Sequence, residues 1–314
     1  MNILISGFGN IGCRHAQAML KAKKDWRLFV IEPSDRSFEE GLSIIGAKRN
    51  NFTRYHALKE LNVDIDFAIS ATCSKPRYSI VKDLIEHGVK YFLIEKIAFQ
   101  SIAQFESIIK LLKAYDVKAY CDLPRRYYEN YIKLKTLVMK SSDPIRINVF
   151  GGNNGIGCNA IHSIDLLEYL TESRISKSWS FLREDKDLNK RGKDYRDVNG
   201  LLVVETYNED QLFIYFDPSY RSGVSQSISI ENKNYIFSDR DKKEYCFAKE
   251  KITSKEFDVP FSSDLTHILV KDIIGGKTIL PNMEETKNTH EILFKEISPV
   301  LGKEFSKKQI CPIT

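Results

Sequence analysis

The residues best placed to do chemistry stand at the start of the chain. Gly7, Gly9 and Gly12 form G-x-G-x-x-G between an apolar run, Asn2 to Ser6, and an amphipathic segment. In such a turn the first glycine permits the tight bend, the second lets the backbone approach a pyrophosphate, and the third lets helix and strand pack closely. A pyrophosphate would rest on the N–H groups of the helix start, where the dipole favours negative charge. Gly7, Phe8, Gly9, Asn10, Ile11 and Gly12 are therefore the expected anion-binding residues. Glu32 ends the next apolar segment about 20 residues later, where a carboxylate takes the ribose 2′-OH of NAD and repels a 2′-phosphate. Arg36, four residues on, offsets part of that preference and keeps NADP in play. The same turn and acidic strand end serve S-adenosylmethionine in methyltransferases, so the turn alone does not separate the two cofactors.

A second group follows the apolar run Tyr91-Phe92-Leu93-Ile94, where Glu95 and Lys96 stand at the carboxyl edge of a predicted sheet. Open α/β sheets bind ligands at that edge. A lysine there lies beside the nicotinamide end of a bound dinucleotide, where its ammonium can hydrogen-bond a hydroxyl or carbonyl and stabilise developing alkoxide charge. Tyr131-x-x-x-Lys135 and Tyr78-x-x-x-Lys82 satisfy a short-chain dehydrogenase spacing, but such pairs arise by chance in a chain this rich in tyrosine and lysine.

The elements that must position these groups read as alternating strands and helices over the first third. Strands are predicted at 2–6, 26–32, 66–71, 90–94 and 117–121, with helices at 11–24, 76–88 and 101–115. The helix over 11–24 is expected to bury Ile11, His15, Ala18, Met19 and Ala22. Strands so uniformly apolar are covered by helices on both sheet faces. Beyond residue 122 the pattern predicts a helix at 127–140, a strand at 145–150, a glycine-rich loop at 151–157 and a helix at 160–171. Antiparallel strands follow near 199–206, 211–217, 225–230 and 233–237, and helices near 264–275 and 283–301 close the chain. The expected fold class is α/β, a Rossmann doubly wound parallel sheet over residues 1–121, then an α+β domain over 122–314 built on an open, mainly antiparallel sheet.

At 314 residues two domains are expected. The 47 basic and 42 acidic residues are interspersed, which argues against nucleic acid as a partner. Lys21 to Lys24 read as a helix end and Lys186 to Lys193 as a solvated loop. There is no targeting signal at Met1 to Ile5 and no apolar run long enough for a bilayer, so a cytoplasmic protein without a membrane partner is expected. The six cysteines are scattered without a Cys-x-x-Cys pair, which predicts free thiols and no metal site.

The chain resembles the Gfo/Idh/MocA family of NAD(P)-dependent sugar and polyol dehydrogenases. The resemblance rests on the glycine turn, Ile69-Ser70-Ala71-Thr72-Cys73-Ser74-Lys75-Pro76, the stretch Glu86 to Lys96, and Asn159-Ala160-Ile161-His162-Ser163-Ile164-Asp165. It implies hydride transfer between nicotinamide and a secondary alcohol or carbonyl of a sugar, sugar derivative or polyol. It also implies that Thr72 and Glu95 contact the nicotinamide half, that Lys96 and His162 are catalytic, that Lys96, Asn159 and His162 bind substrate, and that one of Arg125 and Arg126, with Arg126 the one expected, binds a carboxylate or phosphate of the substrate. Two positions depart from the family pattern: Ile97 replaces the proline after Glu-Lys, and Cys158 replaces an aspartate four residues before His162. A dinucleotide-binding regulator or scaffold is the alternative these departures motivate. An open sheet face predicts a homodimer or homotetramer.

Overall fold

The computed structural model describes every residue except 23, 24, 153, 186–191, 193, 222, 239, 240, 250 and 258. Lys23 and Lys24, and the loop expected at 186–193 apart from Gly192, thus lie outside the described residues. The chain divides into two compact units, Met1–Leu123 with Pro260–Thr286, and Pro124–Val259 with Lys287–Thr314.

The first unit alternates β1 (Asn2–Ser6), α1 (Asn10–Lys21), β2 (Arg27–Ile31), α2 (Asp35–Ile45), β3 (Thr53–Tyr55), β4 (Phe67–Ser70), α3 (Ser74–Glu86), β5 (Tyr91–Ile94), α4 (Ile102–Ala114) and β6 (Lys118–Cys121). Its six strands lie in the order β3-β2-β1-β4-β5-β6, all parallel. That is the doubly wound order, with the strand sequence reversing between β1 and β4, where such sheets open a crevice. Ile3, Leu4 and Ile5 in β1, and Phe67, Ala68 and Ile69 in β4, are wholly buried, as strands covered on both faces must be.

The second unit contains α5 (Glu129–Val138), β7 (Arg146–Gly151), α6 (Ile156–Thr171), β8 (Ile175–Asp185), β9 (Asp197–Thr206), β10 (Gln211–Phe216), β11 (Ser225–Ile230), β12 (Lys233–Ser238), β13 (Lys243–Ala248) and β14 (Lys251–Glu256). The eight strands run β14-β13-β12-β11-β7-β10-β9-β8, antiparallel except for β7 with β10. α6 packs on β9 and β10 and covers one face. Thereafter α7 (Ser262–Ile274) returns to the first unit and packs on α1, and α8 (Met283–Leu301) and α9 (Lys303–Lys308) follow. A single cut after residue 121 does not describe this return. α1 has an apolar face that the strands do not fill, and α7 supplies its cover.

Ile11, expected in the core, is exposed, because the stripe α1 buries runs through Gly12, Cys13, His15, Ala16 and Met19, one position further round. Among the described residues no helix is long and apolar enough to cross a membrane.

Candidate active site

The three glycines have separable physical roles. Gly7 sits at φ 87°, and a Cβ there would meet the Thr72 backbone nitrogen at 2.9 Å. A Cβ on Gly12 would fall 1.9 Å from the Gly7 carbonyl oxygen. Gly9 is different: a Cβ would meet nothing within 4 Å, and Gly9, Asn10 and Ile11 are exposed at the start of α1. Internal packing therefore demands glycine at 7 and 12 but not at 9, where a bare backbone serves only something arriving from outside. No side chain caps α1, whose first N–H groups lack intrahelical partners. The hydroxyl of Thr72, beside Gly7, is buried with no hydrogen-bond partner among the described residues. Exposed donors, a bare Gly9 and an unmatched hydroxyl suit a dinucleotide.

Phe8, expected among the anion-binding residues, has its ring in the core, 5.1 Å from the Phe38 ring and 5.3 Å from Phe52. Its N–H donates to Glu32 Oε2 at 2.9 Å. Glu32 Oε1 accepts from Ser34 N–H at 3.0 Å, so this carboxylate braces the glycine turn. Arg36 projects into solvent and pairs with Glu40 at 2.7 Å. The cation against the Glu32 main chain is Arg54, which donates to its carbonyl at 3.0 and 2.8 Å.

At the end of β5 the Glu95 carboxylate accepts from His15 Nε2 at 3.0 Å. His15 Nδ1 lies 2.8 Å from Thr266 Oγ1, whose own hydrogen goes to the Ser262 carbonyl at 2.6 Å. Thr266 must therefore accept, which puts a proton on Nδ1. Asp122, just past β6, brings Oδ2 to 3.7 Å from Nε2. Burial lowers the His15 pKa, but the hydrogen bond and charge of Glu95 and the charge of Asp122 outweigh it and hold the imidazole above 6.5. Burial likewise opposes ionisation of Glu95, yet His15, then Lys96 and Arg77, bring it down to about 2. Asp122 goes the other way, pushed up to about 8 by burial and by the Glu95 charge. The trio is thus a buried His15–Glu95 ion pair beside a neutral Asp122. These ligand atoms lie within 4.8 Å of one another, a donor set a cation could use, but the direct hydrogen bond already accounts for their approach.

Lys96 follows directly and is half-buried. Buried Arg77 donates to the carbonyls of Glu95, at 2.6 Å, and of Ile97 and Thr72, so one guanidinium holds the chain on both sides of Lys96 and ties it to the residue after β4. The Lys96–Ile97 peptide bond is cis. Glu95, expected at the nicotinamide, has its carboxylate turned to His15. His15, Arg77, Asp122 and Thr266 were not readable as a site, since their partners lie up to 251 residues away.

In the second unit His162 and Asn159, on α6, line a cavity of about 240 Å³ with Arg125, Tyr128, Tyr131 and Gln226. Arg126, expected to bind substrate, points elsewhere. It is buried against Asp165, Nη2 to Oδ1 at 2.7 Å and Nε to both oxygens at 3.1 Å. Arg125 is the arginine on the cavity. Asp165, wholly buried, is accounted for by that pair. Cys158 does not line the cavity; its thiol donates to the Thr314 carbonyl at 2.9 Å. A larger hollow, about 410 Å³, lies at the amino end of β6, opposite the edge bearing Glu95, and shares no residue with these groups.

The geometry agrees with what the chain is similar to. Residues 1–122 match the family model described as the oxidoreductase family, NAD-binding Rossmann fold, GFO_IDH_MocA. No curated protein matches by sequence. Among solved structures, an oxidoreductase from Agrobacterium radiobacter in complex with NAD+, L-tartaric acid and magnesium shares 11% identity at TM-score 0.75, covering 96% of each chain. A super-repressor mutant of Gal80p from Saccharomyces cerevisiae shares 15% at 0.74, again over 96% of each. UDP-N-acetylglucosamine 3-dehydrogenase GnnA from Acidithiobacillus ferrooxidans shares 11% at 0.72, covering 96% of this chain and 97% of that one. At these identities the likeness is one of fold. Residues 1–122 thus match the NAD-binding Rossmann domain of the oxidoreductase family GFO_IDH_MocA, and the chain as a whole shares the fold of these structures.

Proposed function

We propose that the protein transfers a hydride between nicotinamide and a secondary alcohol or carbonyl on a sugar, sugar derivative or polyol. The observation that carries this reading is the fixed strand end: Lys96, held on both sides by Arg77 and next to a carboxylate locked by His15, at the carboxyl edge that also bears the glycine turn. Bound NAD supplies hydride acceptance or donation. The Lys96 ammonium donates a hydrogen bond to the reacting oxygen and stabilises alkoxide charge, and His162 takes or returns the hydroxyl proton. Thr72 supplies an unmatched hydroxyl toward the nicotinamide half, and Glu32, whose oxygens already accept from Phe8 and Ser34, offers its remaining lone pairs to the adenosine ribose.

Lys96→Met and His162→Ala are each expected to lower turnover by about 10²- to 10⁴-fold, with NAD affinity changed less than threefold. Nicotinamide absorbance across a panel of sugars, uronates and polyols reads the first, calorimetry the second. The competing reading, a dinucleotide-binding regulator, is favoured by the occupation of Cys158 by Thr314 rather than by a cavity role. Tight NAD binding with no turnover on any panel member decides for it.

Self-association through the second sheet is part of the proposal. On its uncovered face Phe181, Leu201, Tyr215 and Phe150 lie side by side across β8, β9, β10 and β7. Phe181 is 75% exposed and Phe150 53%. A contiguous apolar row of this kind normally acquires a partner, and a second copy offers the same row under two-fold symmetry. Sedimentation is expected to show a dimer or tetramer, and Phe181→Glu a monomer. A monomeric wild-type protein would overturn this part.

A further inference from the structure

Arg125 and Arg126 are neighbours in sequence with opposite electrostatic situations. Arg126 is buried with a carboxylate held bidentately against it. Arg125 is half-buried, and its partners are neutral: Nη1 donates to Ser163 Oγ at 3.1 Å and to Gln226 Oε1 at 3.3 Å. Gln226 is itself fixed by Tyr131, whose hydroxyl accepts from Nε2 at 3.2 Å. Among the described residues no carboxylate pairs with Arg125, no acceptor takes the hydrogens of its Nε and Nη2, and no carboxylate lines the cavity. Two buried acids of this unit are matched elsewhere, Asp165 by Arg126 and Glu244 by Lys255 at 2.9 Å and by Asn130.

A guanidinium does not deprotonate, and partly desolvating it without a counter-ion is costly. The protein has placed neutral acceptors on one nitrogen of the fork, and the cavity that Arg125 lines has His162 as its other basic side chain among the described residues. Such a field concentrates anions. A planar fork matches a carboxylate by two parallel hydrogen bonds. Four aromatic rings, of Tyr128, Tyr131, Phe237 and Phe257, form part of the wall and suit the C–H face of a small ring.

We infer that this cavity takes a carboxylate-bearing small molecule, with Arg125 binding the carboxylate, so that the substrate is a sugar acid rather than a neutral sugar. Calling the occupant a substrate rests on the oxidoreductase reading; binding of the acid does not. Carboxylate is preferred over phosphate because one guanidinium and a small cavity supply charge for one negative group, not two.

The test uses the full chain with NAD present and calorimetric or saturation-transfer binding of matched probes: hexuronates and aldonates, the corresponding neutral hexoses, and a hexose 6-phosphate. At least one acid is expected to bind about 10- to 100-fold more tightly than its neutral counterpart. Arg125→Met is expected to erase that preference, the acid and its neutral counterpart then binding equally, and Arg125→Lys to restore it in part. Equal binding of acid and neutral sugar by the wild-type protein overturns the inference with no variant needed, as does a preference for the phosphate. Acid binding without nicotinamide reduction keeps the inference and removes the dehydrogenase reading. Turnover of neutral sugars alone does the reverse.

Discussion

Gly12→Ala is expected to cost about 3 kcal/mol of stability or more, and Gly9→Ala almost none, although both glycines belong to one motif. A methyl group at position 12 would lie 1.9 Å from the Gly7 carbonyl oxygen, main chain that cannot yield as a flexible side chain would. Overpacking of ordinary side chains already costs about 1–3 kcal/mol. At position 9 the methyl meets nothing, and the backbone there, at φ −69°, is one alanine adopts freely. Replacing glycine by alanine at a helix N-cap costs about 1 kcal/mol at most. Gly9→Ala should instead weaken NAD binding by tenfold or more, because its methyl group occupies the space a pyrophosphate must reach. Denaturant unfolding and dinucleotide titration of the two variants separate the effects. Full NAD affinity in Gly9→Ala would remove the pyrophosphate from this turn.

His15→Ala is the second large change. It leaves an ionised Glu95 in the interior with its partner gone, and breaking one side of a buried pair costs about 3–5 kcal/mol. Asp122→Asn, which imitates the protonated carboxyl, is expected to be nearly neutral at acid pH. The three groups also set a pH dependence whose signs differ. Glu95 is depressed from 4.5 to about 2, so its contribution is complete above about pH 4.5 and fades as pH falls toward 2. His15 is raised above 6.5, so its contribution is complete below 6.5 and is lost as pH rises through the folded value. Asp122 is raised from 3.8 to about 8, so folding is favoured by its proton below 3.8 and loses that support as pH climbs toward 8. Stability carried by the cluster therefore peaks in mildly acid solution and declines toward pH 8. Asp122→Asn should flatten that decline, and chemical denaturation at a series of pH values reads it. An unchanged alkaline limb in this variant would show that Asp122 is already ionised in the folded protein.

The Rossmann sheet was legible because each of its long strands is an apolar run that only double coverage explains, as Ile3, Leu4 and Ile5 illustrate. β3 was not, being three residues with no fully buried position. β14 escaped for a related reason, since every residue from Lys251 to Glu256 is exposed and polar patterning marks no strand. β8 was not among the expected strands either: in it Trp179 and Phe181 alternate with serines, and the aromatic members face out. α6 begins at Ile156 within an apparent glycine loop because Asp197 Oδ1, forty positions later, accepts the Gly157 N–H at 2.7 Å. The site divides along the same line. Gly7, Gly9, Gly12 and Lys96 announce themselves by local spacing, whereas His15 reads as one more core position until Glu95, Asp122 and Thr266 are folded around it. Arg125 and Arg126 are indistinguishable as letters; only the reach of Asp165 tells which of them is spent.

The docking of α7 on α1 has a consequence for the order of synthesis. When the ribosome has finished β6, every strand of the first unit exists, yet His15 still lacks Thr266, made 251 residues after it. Thr266 is made 145 residues after the end of β6, and at about 5–20 residues per second that interval is on the order of 7 to 30 seconds. Throughout it a nascent Rossmann sheet carries a helix with one flank uncovered. A chain truncated after residue 123 keeps that flank bare permanently, so a soluble NAD-binding fragment is better sought by splicing residues 260–286 onto the first 123 than by cutting alone.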